Sequence, residues 1–308
     1  MSLKVQHVTE PLLLGEGPHW DARAQALYFV NILECSIHKY VPATGEHTRT
    51  KLDGRGVSFI IPVEGTTDQF VVAVERKFLV VQWDGRDGSE AKVLKELGEV
   101  DKDTPTTRFN DGKADPRGRL FSGTLGMDPG AAPGEIQKQA GSIYRFDGGK
   151  FTKLDEGITL STGLSWDLEE KAFYFTDSME GNIRRYDYDV ETGEISNLRY
   201  IFDFKKNGIE GLPDGHTIDT DGNLWVAVFE GSCVLQINPR SGKLLRKVPI
   251  PAPQVTSVTF GGPNLDVLFV TTGSLNIHGK EKPKPPSGSI FTVTGLGVKG
   301  TPNLNFKL

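Results

Sequence analysis

Glu16-Gly17-Pro18-His19-Trp20-Asp21 is the first of four related stretches in this chain, and each is followed by a short apolar run. The other three stretches are Asn110–Asp115, Thr162–Asp167 and Asp214–Asp219. Each begins with a polar residue, ends with an aspartate and precedes an apolar triplet by a similar interval. Self-similarity with a period of roughly 40–50 residues indicates one supersecondary unit that is used repeatedly.

The repeat continues outward from these stretches through a third strand, a glycine-containing turn and a fourth strand. Two weaker units fill the gaps, so the repeat has six starting positions: Glu16, Ser58, Asn110, Thr162, Asp214 and Ser257. Six four-stranded units predict an all-β fold, a six-bladed β-propeller with a central channel, formed by a single domain over residues 1–308. The alternative, a β-sandwich, does not repeat a polar–Gly–Asp signature at a fixed phase.

Charge and composition exclude several classes of function. Lys and Arg number 35 against 40 Asp and Glu, and the net charge of −5 argues against a nucleic-acid partner. No apolar run approaches the ~20 residues that cross a membrane. Cys35 and Cys233 are the two cysteines, which favours free thiols in a reducing compartment. We expect a cytoplasmic monomer whose partner is a small-molecule substrate.

The starting positions also predict a site. Equivalent positions of successive blades converge at one mouth of a propeller channel, so Glu16, Asn110, Thr162 and Asp214 should face one another. Two carboxylates and an amide oxygen are hard ligands that suit Ca²⁺, Mg²⁺, Mn²⁺ or, less typically, Zn²⁺. The alternative interpretation is that these residues only cap strand entries, because Asp, Asn and Thr before Gly commonly form turns.

Four motifs carry a resemblance to a known family: Gly15–Trp20, Arg108–Lys113, Gly163–Trp166 and Pro213–Gly215. They resemble the motifs of the regucalcin (senescence marker protein), gluconolactonase and luciferin-regenerating enzyme family, and the resemblance covers essentially the whole chain. Val57–Pro62 and Leu224–Phe229 are most similar to the insect luciferin-regenerating branch. The resemblance implies a six-bladed propeller that holds one divalent cation in its channel.

The resemblance also implies roles for individual residues. Metal ligands fall on Glu16, Thr162 and Asp214, and substrate-binding residues fall on Arg108, Asn110 and Asp128. Thr162 departs from the family, which has asparagine there, and a hydroxyl is a shorter and weaker ligand than an amide carbonyl. Asp128 replaces a glutamate and keeps its charge on a shorter side chain.

These residues predict metal-assisted hydrolysis of a lactone, a cyclic ester. The cation would polarise the carbonyl, Asp214 would be the catalytic general base on a water, and Arg108 would hold substrate oxygens. Two alternatives stay open: a luciferin-regenerating enzyme that acts on a cyano-hydroxybenzothiazole, and a non-enzymatic calcium-binding regulatory propeller. The aspartates that close the four stretches are expected to serve turns and blade packing: Asp21, Asp115, Asp167 and Asp219.

Overall fold

The computed structural model describes residues 2–127, 135–277, 279 and 281–308. Asp128, one of the predicted substrate-binding residues, lies outside the described residues. The regular secondary structure of the described part of the chain is almost entirely β-strand, with two short 3₁₀ helices at Ile32–Glu34 and Ser178–Glu180. In this part of the chain, no helix combines the length and the apolar character that a membrane span requires.

The strands are short and regularly spaced. The first twelve are β1 (Lys4–His7), β2 (Gly15–Asp21), β3 (Ala26–Asn31), β4 (Ser36–Val41), β5 (Glu46–Lys51), β6 (Val57–Pro62), β7 (Gln69–Val74), β8 (Lys77–Gln82), β9 (Lys92–Glu99), β10 (Thr107–Ala114), β11 (Leu120–Met127) and β12 (Ile136–Gln137). They are followed by β13 (Gly141–Asp147), β14 (Lys150–Ile158), β15 (Ser161–Asp167), β16 (Ala172–Asp177), β17 (Asn182–Tyr188), β18 (Ile195–Asp203), β19 (Leu212–Ile218), β20 (Leu224–Phe229), β21 (Cys233–Asn238), β22 (Lys243–Pro249), β23 (Gln254–Gly261), β24 (Val267–Gly273) and β25 (Phe291–Thr294).

These strands form antiparallel sheets of consecutive strands. Three sheets have four strands each, β2–β5, β6–β9 and β15–β18, and a fourth consists of β10, β11, β13 and β14 with β12 beside β11. An eight-stranded sheet contains the series β19–β22 and the series β23, β24, β25 and β1, joined where Phe229 pairs with Gln254. Because β1 pairs with β25, the first strand of the chain completes the last series.

The first strand of each series lies innermost. These inner strands, β2, β6, β10, β15, β19 and β23, contact one another in chain order, and β23 contacts β2. The inner strands β2, β6, β10 and β15 are edge strands of their sheets, and a ring of this kind leaves only short, protected edges at its centre. The all-β, propeller-like fold predicted from the repeat is confirmed.

Apolar and aromatic side chains fill the layers between neighbouring sheets. Phe70–Val74 on β7 is buried throughout, because both faces of this strand pack against other sheets. Between β8 and β10, the rings of Phe78 and Phe109 lie 4.5 Å apart, centroid to centroid. Full burial of one such side chain contributes about 1.5–3 kcal/mol to the free energy of folding. Packing in these layers is therefore the main interaction that holds neighbouring sheets together.

Every inner strand carries a β-bulge near its start. Pairing with the second strand is interrupted between Glu16 and His19, Val57 and Ile60, Phe109 and Gly112, Ser161 and Leu164, Pro213 and His216, and Val255 and Ser257. The six starting positions of the repeat lie at these bulges. A bulge turns side chains out of the regular ladder of strand pairing. The sequence pattern that repeats along the chain therefore marks these bulges.

A C-terminal segment, residues 299–307, crosses one end of the ring, and we call it the strap. Gly300 pairs with Asp219, and the side chain of Asn303 accepts a hydrogen bond from the Trp20 amide at 2.9 Å. The Phe306 amide donates to Pro62 O at 2.9 Å, and the Lys307 amide donates to Gly118 O at 2.9 Å. The strap therefore connects sheets that are distant in sequence.

Candidate functional site

Buried carboxylates from three inner strands share one electrostatic environment. Glu16 on β2, Asp111 on β10 and Asp214 on β19 are 6%, 4% and 8% exposed. Burial and then the Asp111 charge raise the pKa of Glu16 to about 8, while burial and then the Glu16 charge raise the pKa of Asp214 well above its usual value. Glu16, Asp111 and Asp214 thus interact electrostatically, and the metal-binding role of Glu16 and Asp214 stays a prediction.

Local backbone geometry positions the Glu16 carboxylate. Gly17 has a φ of +54°, a left-handed conformation that glycine adopts at little cost. Its amide donates to Glu16 Oε2 at 2.9 Å. A Cβ on Gly17 would lie 3.1 Å from both Ser58 O and Phe59 Cα, so the close approach of β2 and β6 also favours glycine here.

Arg108 and Asn110, both predicted to bind substrate, contact each other on β10. Arg108 Nη1 donates to Asn110 Oδ1 at 2.9 Å and to Phe109 O at 2.8 Å. Asn110 Nδ2 donates to Ser161 O at 2.8 Å, which fixes the amide. Burial lowers the pKa of Arg108 to about 10, although the Glu16 carboxylate opposes this shift. The guanidinium therefore lies in the same charge cluster as the carboxylates.

Lys113 is a second cation in this cluster, and the sequence reasoning missed it together with Asp111. Lys113 Nζ donates to His216 O at 2.5 Å and so bridges β10 and β19. Burial lowers the pKa of Lys113, against the opposing effects of Asp111 and Glu16. Regular alternation would place residues two apart on one face, but the bulge between Phe109 and Gly112 interrupts it, so the sequence pattern gave no signal for either residue.

Thr162, the predicted third metal ligand, lies beside a neighbouring strand and turn of its own sheet. Its hydroxyl is 2.9 Å from Ser178 Oγ and 3.4 Å from Thr176 O. The Thr176 hydroxyl in turn lies 3.0 Å from His216 Nδ1. Burial lowers the pKa of His216 well below its usual value, so this histidine is neutral in the folded protein.

The oxygen atoms of this site suit a divalent cation. Asp111 Oδ2 is buried and makes no hydrogen bond to any described residue, and burial, followed by the like charge of a neighbouring carboxylate, raises the pKa values of Glu16 and Asp214. Among the described residues, no three His, Cys, Asp or Glu side chains are grouped to hold a metal. A cation between Glu16 and Asp214 would therefore need further oxygen ligands from an amide, a hydroxyl or water.

Two of the aspartates that close the repeated stretches have structural partners. Asp115 Oδ2 accepts from Arg119 Nε at 2.7 Å and from the Tyr188 hydroxyl at 2.8 Å. Asp219 Oδ2 accepts from Trp225 Nε1 at 2.9 Å. These bonds tie turns to neighbouring strands, as the sequence interpretation expected.

Comparison with known protein families identifies the family of this chain. Residues 14–274 match the family model described as SMP-30/Gluconolactonase/LRE-like region. The chain belongs to this family. Among proteins of similar sequence, regucalcin from Sus scrofa is 36% identical over 98% of this chain and 97% of its own length. Regucalcin from Danio rerio is 35% identical over 99% of both chains.

Solved structures agree with this assignment to the SMP-30/Gluconolactonase/LRE-like family. A luciferin-regenerating enzyme superposes with a TM-score of 0.92 and 40% identity over 100% of both chains. A calcium-binding regucalcin from Agrobacterium tumefaciens superposes with a TM-score of 0.86 and 26% identity over 99% of this chain and 98% of its own. The resemblance carried by the sequence motifs is confirmed.

Proposed function

We propose that this chain is a divalent-metal-dependent lactone hydrolase built as a six-bladed β-propeller. The observation that carries the activity is the buried pair Glu16 and Asp214 beside the contacting pair Arg108 and Asn110, in a chain whose family includes gluconolactonase. Support for six blades comes from the eight-stranded sheet, which contains two four-stranded series, and from six inner strands that contact in a ring.

Glu16 and Asp214 would hold the cation, with Thr162 as the predicted third ligand and the Asn110 amide nearby. Ca²⁺, Mg²⁺, Mn²⁺ and Zn²⁺ are the candidates. When bound, the cation would polarise the lactone carbonyl and stabilise the oxyanion that develops on it. The hydroxyl of Thr162 would have to turn from Ser178 to take part.

The other steps belong to residues of this chain. Asp214 would accept a proton from the attacking water as the new carbon–oxygen bond forms. The ring carbon–oxygen bond then breaks, and the leaving alkoxide regains a proton to give an open hydroxy acid. Arg108, already held by Phe109 O and Asn110, would orient substrate oxygens with its remaining donors, with Asp128 as a second predicted substrate contact.

Lactone turnover with defined metals tests this proposal. We would follow acid release from aldonolactones by pH-stat, with each of the four cations and with a chelator, in wild type, Asp214→Asn and the exposed control Glu46→Gln. We expect the chelator to abolish turnover, Asp214→Asn to lower kcat by about a hundredfold or more, and the control to match wild type. Turnover that survives both the chelator and Asp214→Asn would overturn the proposal.

A second candidate activity rests on the 40% identity to a luciferin-regenerating enzyme over the full length of both chains. Under this proposal the same site would accept a cyano-hydroxybenzothiazole, and the enzyme would increase its rate of conversion to luciferin in the presence of cysteine. Chromatography of the product with and without protein tests it. Cation binding without turnover of either substrate would instead favour a calcium-binding regulatory propeller, the third alternative.

A further inference from the structure

Lys113 spans two inner strands that are not neighbours in the ring. It lies on β10, and its ammonium donates a hydrogen bond to the backbone oxygen of His216 on β19 at 2.5 Å. The strand β15 lies between them, in contact with both. His216 ends the bulge of β19, two residues after Asp214. The Lys113 side chain is therefore fixed at its far end to the strand that carries a predicted metal ligand.

The charge of this ammonium acts on two carboxylates of the site. Burial lowers the pKa of Lys113, and the charges of Asp111 and then Glu16 oppose that shift. Burial raises the pKa of Asp111 to about 6, and the Lys113 charge opposes this rise. Lys113 is therefore a counter-ion that the chain itself supplies to these carboxylates.

This counter-ion does not touch the carboxylates whose charge it offsets. Among the described residues, no carboxylate oxygen lies within 4.0 Å of a side-chain nitrogen of Lys113 or Arg108. Elsewhere in the ring, buried opposite charges do meet, since Arg119 Nε lies 2.7 Å from Asp115 Oδ2. Buried charges are normally paired directly. The bond to His216 therefore holds the ammonium back and leaves the carboxylate oxygens without a cation in contact.

A cavity of about 650 Å³ beside the strap borders this arrangement. Asp111 and Lys113 line it from β10, and Pro302 and Leu304 line it from the strap. Lys113 is accordingly only partly buried. An ammonium has three donors, of which one serves His216, and the cavity has room for water at the others. Lys113 can therefore keep its charge without touching a carboxylate.

A divalent cation among the same carboxylates would be repelled by this ammonium. Three carboxylates of the site interact with two cations of the chain, so one negative charge remains for the incoming ion. These groups are Glu16, Asp111, Asp214, Arg108 and Lys113. Repulsion grows with the product of the charges, so a divalent ion is repelled twice as strongly as a proton bound at the same place. The bond to β19 keeps the ammonium from withdrawing.

We propose that Lys113 regulates the predicted metal site as a tethered counter-ion: its ammonium balances the carboxylates in the metal-free protein and weakens binding of the divalent cation. This inference rests on the proposed function for the metal site, but not on lactone turnover. A lysine that only braced β10 against β19 would have the opposite effect, because its loss would loosen the strand that carries Asp214 and weaken metal binding. The direction of the change in affinity therefore separates a charge role from a structural one.

Calorimetric titration with Ca²⁺ and with Mn²⁺ tests the proposal. We expect Lys113→Met, which keeps the length of the side chain and removes its charge, to bind both ions at least about tenfold more tightly than wild type. Lys113→Arg keeps the charge and should stay within about threefold of wild type. Adding Asp111→Asn to Lys113→Met removes one negative charge and should reverse the gain. Lys243→Met, at an exposed position of β22, is the matched control and should bind as wild type does.

Two calorimetric results would overturn the proposal. No binding of either ion to wild type would overturn the metal site and this inference together. Binding that Lys113→Met leaves unchanged or weakens would overturn the role of Lys113 alone. Thermal unfolding checks that the variants are folded. If Lys113→Met is not, NMR of wild type with carbon-13 at lysine Cε replaces it: Ca²⁺ should shift the Lys113 resonance, assigned with Lys113→Arg, and an unmoved resonance would contradict the proposal.

Discussion

Asp214 and Glu16 share one buried site: burial, and then the charge of the Glu16 carboxylate, raises the pKa of Asp214, although the strands β3 to β18 separate the two residues in the chain. Both lie in bulges of inner strands, on β2 and β19, which are each in contact with β23. Closing the ring therefore forces two like charges together in a buried site. This arrangement opposes folding unless a cation or a proton neutralises it.

Glu16→Gln should stabilise the metal-free protein. Removing this charge ends the cost of burying it and then its repulsion with Asp111, and the raised pKa of Glu16 corresponds to a gain of at least about 1 kcal/mol, since one pKa unit is worth about 1.4 kcal/mol. Urea unfolding at pH 8 with a chelator measures this. Excess Ca²⁺ should stabilise the wild type and leave the variant unchanged. A variant less stable than wild type without metal would contradict the charge argument.

Thr162→Asn should tighten metal binding. The longer side chain places an amide carbonyl where the threonine offers a hydroxyl now held by Ser178 and Thr176, and a carbonyl is the better ligand for Ca²⁺. We expect affinity to rise by about tenfold, measured by calorimetry with Ca²⁺ and Mn²⁺. Thr162→Val is the control, because it keeps the shape and removes the oxygen. Equal affinities in all three proteins would exclude this position from the ligand set.

Much of the fold could be predicted because the repeat is local. Each starting position coincides with a bulge, and Gly17 is required by its left-handed backbone and its contact with Ser58. Those constraints act within one or two neighbouring strands, so they select similar residues at the same position of each repeat. The N-terminal strand β1 left no such mark, since its partner β25 is at the opposite end of the chain.

The candidate site was predictable only in part. The position of Glu16 and Asp214 within the repeat identified both residues. The location of Asp111 and Lys113 in the site depends instead on which way the bulge turns β10 and on the hydrogen bond from Lys113 to the backbone of His216. The cavity beside the strap is lined in part by Pro302 and Leu304, which belong to no repeat. Such features arise from contacts between distant segments, which periodicity does not record.

Phe306→Ala should destabilise the protein by loosening the strap. Phe306 is 2% exposed and packs beside Phe146, with ring centroids 6.2 Å apart. Truncating a buried phenylalanine typically costs about 3–5 kcal/mol, and thermal or urea unfolding measures the loss. Leu308→Ala, at a side chain that is 65% exposed, is the control and should change stability little. Equal stability of the two variants would show that the strap is not anchored by Phe306.

His38 should make stability depend on pH. This buried side chain lies 2.8 Å from Ser36 Oγ through Nε2 and 2.9 Å from His47 Nε2 through Nδ1. Burial, followed by the charges of His47 and Arg49, lowers the pKa of His38 to about 3. An unfolded histidine titrates near pH 6.5, so below that pH the unfolded chain binds a proton that the folded protein does not.

The contribution of His38 is therefore fully present above pH 6.5 and is lost as the pH falls, by about 2 kcal/mol between pH 7 and pH 5. Glu16, whose raised pKa makes the folded protein bind a proton over that range, acts in the opposite direction, so the comparison must be with a variant. We expect His38→Gln to remove about 2 kcal/mol of the loss between these pH values, as measured by urea unfolding at both. The exposed control His7→Gln should keep the wild-type dependence, and a His38→Gln profile parallel to wild type would show that this histidine becomes protonated in the folded state.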